Sequence, residues 1–368
     1  MDSDMEPPKY EEVVSDQSPL SEDDVSKSGR SRRRRNKVII LILVSILALG
    51  CLLLTGVIWW TASQTGKYPT NEEILQSLEE ISSSLSESEV NCSLVTIGHS
   101  VELRPIKLLR ISPRSERRSE RRSEAPLVWV VCGVHAREWT SPLACLQIIK
   151  HIRDILLSRA VTSEDDILKR FRYNFVVITN PDGYIYSMSD PSRRLTRKNR
   201  AAIGCPASER DGVDLNRNFG TGFNHGDDCY GAPDCPYDSS PCSITYGGSA
   251  PFSEPESRAV REAMMSEVPW LSISMHGNGN MWAAPYSSKV MSAPGVDMAE
   301  LELLTERIQA KFGSVYHAGC SSCVLYRGGG TLSDWVYEEL GVNRWEDVTS
   351  LVFLSPPQVL RPRVEGAV

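Results

Sequence analysis

The chain has 368 residues, with 40 Lys and Arg against 47 Asp and Glu, and a formal net charge of −7. That balance gives no ground for a nucleic-acid partner, and the one strong charge run is a short basic block near the N-terminus. Residues 1–29 are rich in Ser, Asp, Glu and Pro with few apolar side chains, so residues 1–37 read as a disordered cytoplasmic tail that cannot build a core. Pro7, Pro8 and Tyr10 in "PPKY" suit the aromatic groove of a WW domain, against the plainer reading as linker. Arg30, Arg32, Arg33, Arg34, Arg35 and Lys37 precede the uncharged run 38–60, "VIILILVSILALGCLLLTGVIWW", which is long enough to cross a bilayer as a helix of about 20 residues. The positive-inside bias then predicts a single-pass membrane protein with a cytoplasmic N-terminus, a linker at 61–67 and one large domain at 68–368, extracellular or lumenal.

The cysteines agree with an oxidising compartment. Ten are present; Cys51 lies in the span, and the odd remainder leaves at least one unpaired within a monomer. Asn91 in "NCS" is a glycosylation acceptor. Cys320 and Cys323 form a single C-x-x-C, better read as a local disulfide or two buried thiols than as a zinc site. The repeat "RSERRSERRSE" at 114–124 reads as a solvated loop between strands.

Continuous apolar runs at 127–134, 173–179 and 270–276 suit parallel strands buried on both faces, and 141–157 carries apolar residues at helical spacing. This predicts an α/β fold: a mixed, mostly parallel twisted sheet with helices on both faces. Such a sheet places its ligand site outside the carboxyl ends of its strands. His135 and Glu138, in "VCGVHAREWT", follow one strand, and His276 ends another. Two imidazoles and a carboxylate are a catalytic zinc set, so one ion bound from a single sheet edge stands against structural hydrogen bonding. His99 and His225 sit in polar, turn-like stretches, His151 lies inside the helix, and His317 has no strand end behind it.

Several separated motifs occur in order: "HAREW" at 135–139, "NPDGY" at 180–184, "RKNR" at 197–200, "GVDLNRNF" at 212–219, "SMHGN" around His276 and "LYRGGGTLSDWVY" at 325–337. With them, the chain resembles the zinc carboxypeptidases of the carboxypeptidase A and B family. The resemblance implies one zinc held by His135, Glu138 and His276, with Asp214 fixing the His135 tautomer. It implies that Asn216 and Arg217 grip a peptide's C-terminal carboxylate and that Arg197 stabilises the oxyanion. Tyr326 would close over the bound residue, and Arg137 would contact the peptide upstream. It also implies bridges between Cys132 and Cys145 and between Cys205 and Cys242.

The chain departs from the family's pattern in its last third. Family members carry a general-base glutamate in a phrase like "SFTFELR", whereas here Thr349 falls at the counted position, with Glu346 and Asp347 near it as replacement candidates. The family's final long helix has no counterpart before Val368. Ser333 stands where the family sets preference for the terminal residue, and serine selects neither an apolar nor a basic one. The resemblance thus implies a zinc exopeptidase removing C-terminal residues at the cell surface or in the secretory lumen. The alternatives are a catalytically impaired binder of peptide C-termini and a zinc deacylase of small amides. No G-x-S-x-G motif supports serine hydrolysis, and neither glycine run is followed by the lysine of a phosphate loop.

Overall fold

The computed structural model describes residues 68–88, 90–113, 125–158, 168–206, 211–223, 240–277, 279–289, 317–341 and 350–354, with three isolated positions between 303 and 310. The expected tail with Pro7, Pro8 and Tyr10, the span 38–60, the linker 61–67, the repeat at 114–124, and Glu346, Asp347 and Thr349 lie outside the described residues. Among the described residues no helix is long and apolar enough to cross a membrane.

The first element is α1 (Asn71–Ser86). Thr70 Oγ1 accepts the Glu73 backbone N–H at 3.1 Å and Glu73 Oε2 accepts that of Thr70 at 2.7 Å, a reciprocal cap that fixes where the helix starts. Ile74, Leu78, Ile81 and Leu85 recur every three or four positions and are fully buried, forming the stripe that docks the helix. Truncating one of them to alanine would cost about 2–5 kcal/mol.

Among the described residues eight strands form one mixed sheet: β1 (Val90–His99), β2 (Pro105–Pro113), β3 (Leu127–Val131), β4 (Arg172–Val176), β5 (Leu271–His276), β6 (Met281–Ala284), β7 (His317–Cys320) and β8 (Ser350–Leu354), in the order β1-β2-β4-β3-β5-β8-β6-β7. The pairs β3/β4, β3/β5, β5/β8 and β6/β7 are parallel, and β1/β2, β2/β4 and β6/β8 are antiparallel. Central β3 shows why both faces are covered. Val128 and Val130 enter one core with α1 and α2 (Thr140–Leu157), while Leu127, Trp129 and Val131 enter a second with α4 (Pro255–Ser266) and α5 (Leu332–Glu339). A short α3 (Pro181–Ser189) follows β4, its Asn180 side chain accepting the Gly183 N–H at 2.9 Å.

Three details differ from the sequence expectations. β3 ends at Val131 because Gly133, at φ 62°, turns the chain away; a Cβ there would lie 2.9 Å from the Ile178 Cα. His99 is the exposed last residue of β1 rather than part of a turn. No disulfide joins Cys132 to Cys145: both are fully buried in the core layer between α2 and the sheet. Cys205 and Cys242 do form a bridge, and Cys320 is joined to Cys323. Asn91 is exposed on β1.

Candidate metal centre and peptide cleft

The turn after β3 carries His135 and Glu138 to the carboxyl edge of the sheet, and β5, the parallel strand hydrogen-bonded directly to β3, ends there with His276. One ligand atom from each lies within 4.8 Å of the others, and all three residues are buried. His135 Nδ1 is 3.0 Å from His276 Nδ1 and 2.9 Å from Glu138 Oε1; His276 Nδ1 is 3.1 Å from Glu138 Oε2.

The outer nitrogens are already occupied. His135 Nε2 meets Asp214 Oδ1 at 3.1 Å, and His276 Nε2 meets Ser274 Oγ at 3.0 Å. Each ring is thereby oriented with Nδ1 facing the centre. Two ring nitrogens and a carboxylate converging in a buried space are what a zinc ion requires, so the residues fit the metal. The Gly277 N–H donates to Glu138 Oε2 at 2.9 Å, tying the carboxylate to the end of β5.

Charge is concentrated at this end. Burial opposes ionisation of Glu138, yet His135 and His276 hold its carboxyl well below the usual range. Asp214 is likewise buried, and Arg197 and His135 bring it well below its ordinary value. Arg197 Nε donates to Asp214 Oδ2 at 2.8 Å and its Nη1 stands 3.8 Å from Glu138 Oε1; burial disfavours its charge, but Asp214 holds the guanidinium above its usual pKa. Burial lowers the pKa of His276.

Asp214 also builds the next wall. Its Oδ1 accepts the Asn216 N–H at 3.0 Å, capping a one-turn 3-10 helix, Leu215–Arg217, that presents Asn216 and Arg217. Asn216 Oδ1 accepts the Leu332 N–H at 3.0 Å. Arg217 Nη1 donates to the Asn216 carbonyl at 2.6 Å, and Nη2 to the Tyr326 hydroxyl at 3.2 Å. Gly330, at φ 68°, lets its loop pass beneath Arg217; a Cβ there would lie 2.1 Å from the Arg217 carbonyl oxygen. Tyr326 is 42% exposed at the rim, and Arg217 lowers its phenol pKa.

A cleft of about 250 Å³ collects these residues. His135, Arg137, Glu138, Arg197, Asn216, Arg217, His276, Tyr326 and Ser333, all predicted from sequence, line it together, and Asp214 stands behind His135. Half-buried Arg137 is at the edge, its pKa lowered by burial. Sequence reasoning missed Ser274, although strand alternation puts it on the same face as His276 two residues on. It also missed Ser287, Ser321 and Thr331, which share the cleft lining but come from three separate segments with no common spacing.

Residues 74–364 match the family model for "Zinc carboxypeptidase". The chain belongs to the zinc carboxypeptidase family. Among its curated relatives, mouse carboxypeptidase A2 is 30% identical over 312 residues, which cover 82% of this chain and 67% of that protein. Carboxypeptidase B of Astacus astacus is 30% identical over 284 residues, 74% of this chain and 85% of that one. The solved structure of bovine thrombin-activatable fibrinolysis inhibitor in complex with tick carboxypeptidase inhibitor superposes with a TM-score of 0.61 at 26% identity, covering 81% of this chain and 88% of that chain. The chain spans about two thirds of the length of the mouse and rat carboxypeptidase A2 relatives. The family's cofactor is one zinc ion, and His135, Glu138 and His276 form the group here that could hold it.

Proposed function

We propose that this chain is a zinc-dependent exopeptidase that hydrolyses the C-terminal residue of peptides or proteins. One observation carries the reading: a buried His–Glu–His group and a guanidinium suited to a carboxylate line the same cleft. When bound, zinc supplies a Lewis acid that polarises a carbonyl oxygen and lowers the pKa of water. Arg217, with the Asn216 amide beside it, takes the planar terminal carboxylate and so admits only chain ends. Arg197, its Nε held by Asp214, keeps its remaining N–H donors for the carbonyl oxygen as negative charge develops there, an interaction worth about 10²- to 10³-fold in rate. Tyr326, exposed at the rim and hydrogen-bonded to Arg217, closes over the bound residue, and Arg137 contacts the residue before it.

A membrane-anchored protein with this domain outside the cytosol is part of the same reading. It is supported by the apolar run 38–60 behind a basic block, by the exposed Asn91 acceptor and by the disulfides Cys205–Cys242 and Cys320–Cys323.

A second reading, a binder of peptide C-termini with impaired catalysis, is favoured by the strand beside the metal ligands. β8 pairs with β5 so that Leu354 takes the register position of His276, and among the described lining residues Glu138 is the only carboxylate. That leaves the general base to Glu346 or Asp347. Loss of a base costs about 10²- to 10⁴-fold.

The test is incubation of the zinc-loaded full chain with a mixed peptide set, followed by mass spectrometry with and without chelator. Chelator-sensitive loss of single C-terminal residues supports the exopeptidase. Absence of release, with calorimetric binding of the same peptides, supports the binder.

A further inference from the structure

Part of the cleft lining is built of hydroxyls. Ser287, Ser321, Thr331 and Ser333 all line it, and each is buried. Ser287 follows β6, Ser321 opens the short helical turn bridged by Cys320–Cys323, Thr331 caps α5, and Ser333 lies in the first turn of that helix. Thr331 Oγ1 lies 3.2 Å from Ser333 Oγ and also accepts the Asp334 N–H at 3.3 Å.

No charge stands on this wall among the described residues. Asp334, a carboxylate in contact with the wall's residues, is fully buried behind it. Its oxygens accept the N–H of Ser287 at 2.9 and 3.1 Å, the N–H of Ser288 at 2.9 Å and the Ser288 hydroxyl at 2.7 Å.

A C-terminal residue has three arms: its carboxylate, the amide joining it to the peptide, and its side chain. With the carboxylate on Arg217 and the amide at the histidine group, the side chain must take the remaining wall. Resting on the exopeptidase reading above, we propose that this cleft selects peptides whose last residue carries an uncharged hydrogen-bonding side chain, a carboxamide (Asn or Gln) ahead of a hydroxyl (Ser or Thr).

A carboxamide offers two donors and an acceptor, and each wall hydroxyl can both give and take a hydrogen bond. Leucine has nearly the shape of asparagine but leaves those hydroxyls unpaired where water is excluded, the situation in which a polar site discriminates strongly. Among the described residues, lysine or arginine would bury a cation with no carboxylate on the wall to face, and aspartate or glutamate an anion with no further cation there.

The experiment uses the zinc-loaded full chain and peptides identical except for a final Asn, Leu, Gln, Met, Lys or Asp. Release is followed by mass spectrometry, and binding by calorimetry, which needs no turnover. Asn is expected to exceed Leu, and Gln to exceed Met, by about tenfold or more in either readout. Ser287→Ala and Ser333→Ala should narrow the Asn-to-Leu ratio by weakening Asn alone, whereas damage to folding would lower both. Asn preferred in binding without release supports the selectivity and moves the protein to the binder reading. Leu, Lys or Asp ranking level with or above Asn overturns the proposal. Neither release nor binding of any peptide overturns the carboxypeptidase reading and this inference with it.

Discussion

Two buried carboxylates stand behind residues that line the cleft and are treated in opposite ways. Asp214, behind the histidines, has Arg197 at 2.8 Å and His135 at 3.1 Å, and these hold its carboxyl well below the ordinary range despite complete burial. Asp334, behind the hydroxyl wall, is equally buried but accepts only backbone N–H and hydroxyl donors, and burial pushes its pKa up. Burial is the same at both, so the charge of the partners decides which carboxylate is held firmly ionised. The cleft therefore has one end dense in fixed charge, suited to chemistry on a polarised amide, and one wall of neutral hydroxyls, suited to choosing a side chain.

The largest expected effect comes from breaking the charged end outright. His276→Ala removes a donor from the metal group, and zinc affinity, measured by competition with a chromophoric chelator, should fall by more than the roughly 10- to 100-fold that follows loss of an outer hydrogen-bond partner. Retention of zinc at wild-type affinity would place the ion elsewhere.

Arg217→Ala should come next. Truncating one member of a buried charge-to-carboxylate contact costs about 2–5 kcal/mol, so kcat/KM for free-acid peptides should drop by roughly 30-fold or more. Unchanged kinetics in a folded variant would remove Arg217 from the carboxylate role.

Glu256 extends the comparison beyond the cleft. It is fully buried, accepts the Val101 N–H at 3.0 Å and the Asn199 side-chain N–H at 3.2 Å, and lies beside Glu254, so it too has neutral donors but no cation. Burial pushes its pKa up to about 7. A folded pKa above the unfolded value means that the folded state keeps a proton the unfolded chain releases. Its contribution to stability is complete below the unfolded pKa and is lost as pH rises from about 4.5 to 7, on the order of 3 kcal/mol. Denaturant titrations across that window should show the loss in the wild type and a flatter profile in Glu256→Gln; parallel profiles would contradict it.

The finest test sets the two aspartates side by side. Asp214→Asn should weaken zinc about 10- to 100-fold, because the His135 ring loses its charged acceptor. Asp334→Asn should leave zinc affinity within about twofold, as Asp334 touches no metal-facing residue. Equal losses in both would mean that the two sides of the cleft are not electrostatically distinct.

Much of the charged end was legible in the sequence, because its residues sit at strand ends. A buried parallel strand followed by "HAREW", and another ending in His276, must deliver their side chains to one sheet edge, whatever the intervening chain does. Asn216 and Arg217 were legible only through resemblance; their placement depends on the Asp214 cap, which serves the turn and the histidine at once. The hydroxyl wall was not legible, since serine is common and Ser287, Ser321 and Thr331 meet only after β6, β7 and α5 have packed. The expected Cys132–Cys145 bridge is absent for a related reason: both cysteines flank the metal motif in the chain, but each is packed into the core cluster without joining the other.

The most direct measurement compares two zinc-loaded reactions on one peptide, with a free C-terminal carboxylate and with a C-terminal amide, read by mass spectrometry. The account predicts chelator-sensitive release of the last residue from the free acid and at least about 30-fold less from the amide, because Arg217 has lost the anion it holds. Equal release from both peptides would contradict it, as would cleavage at internal bonds.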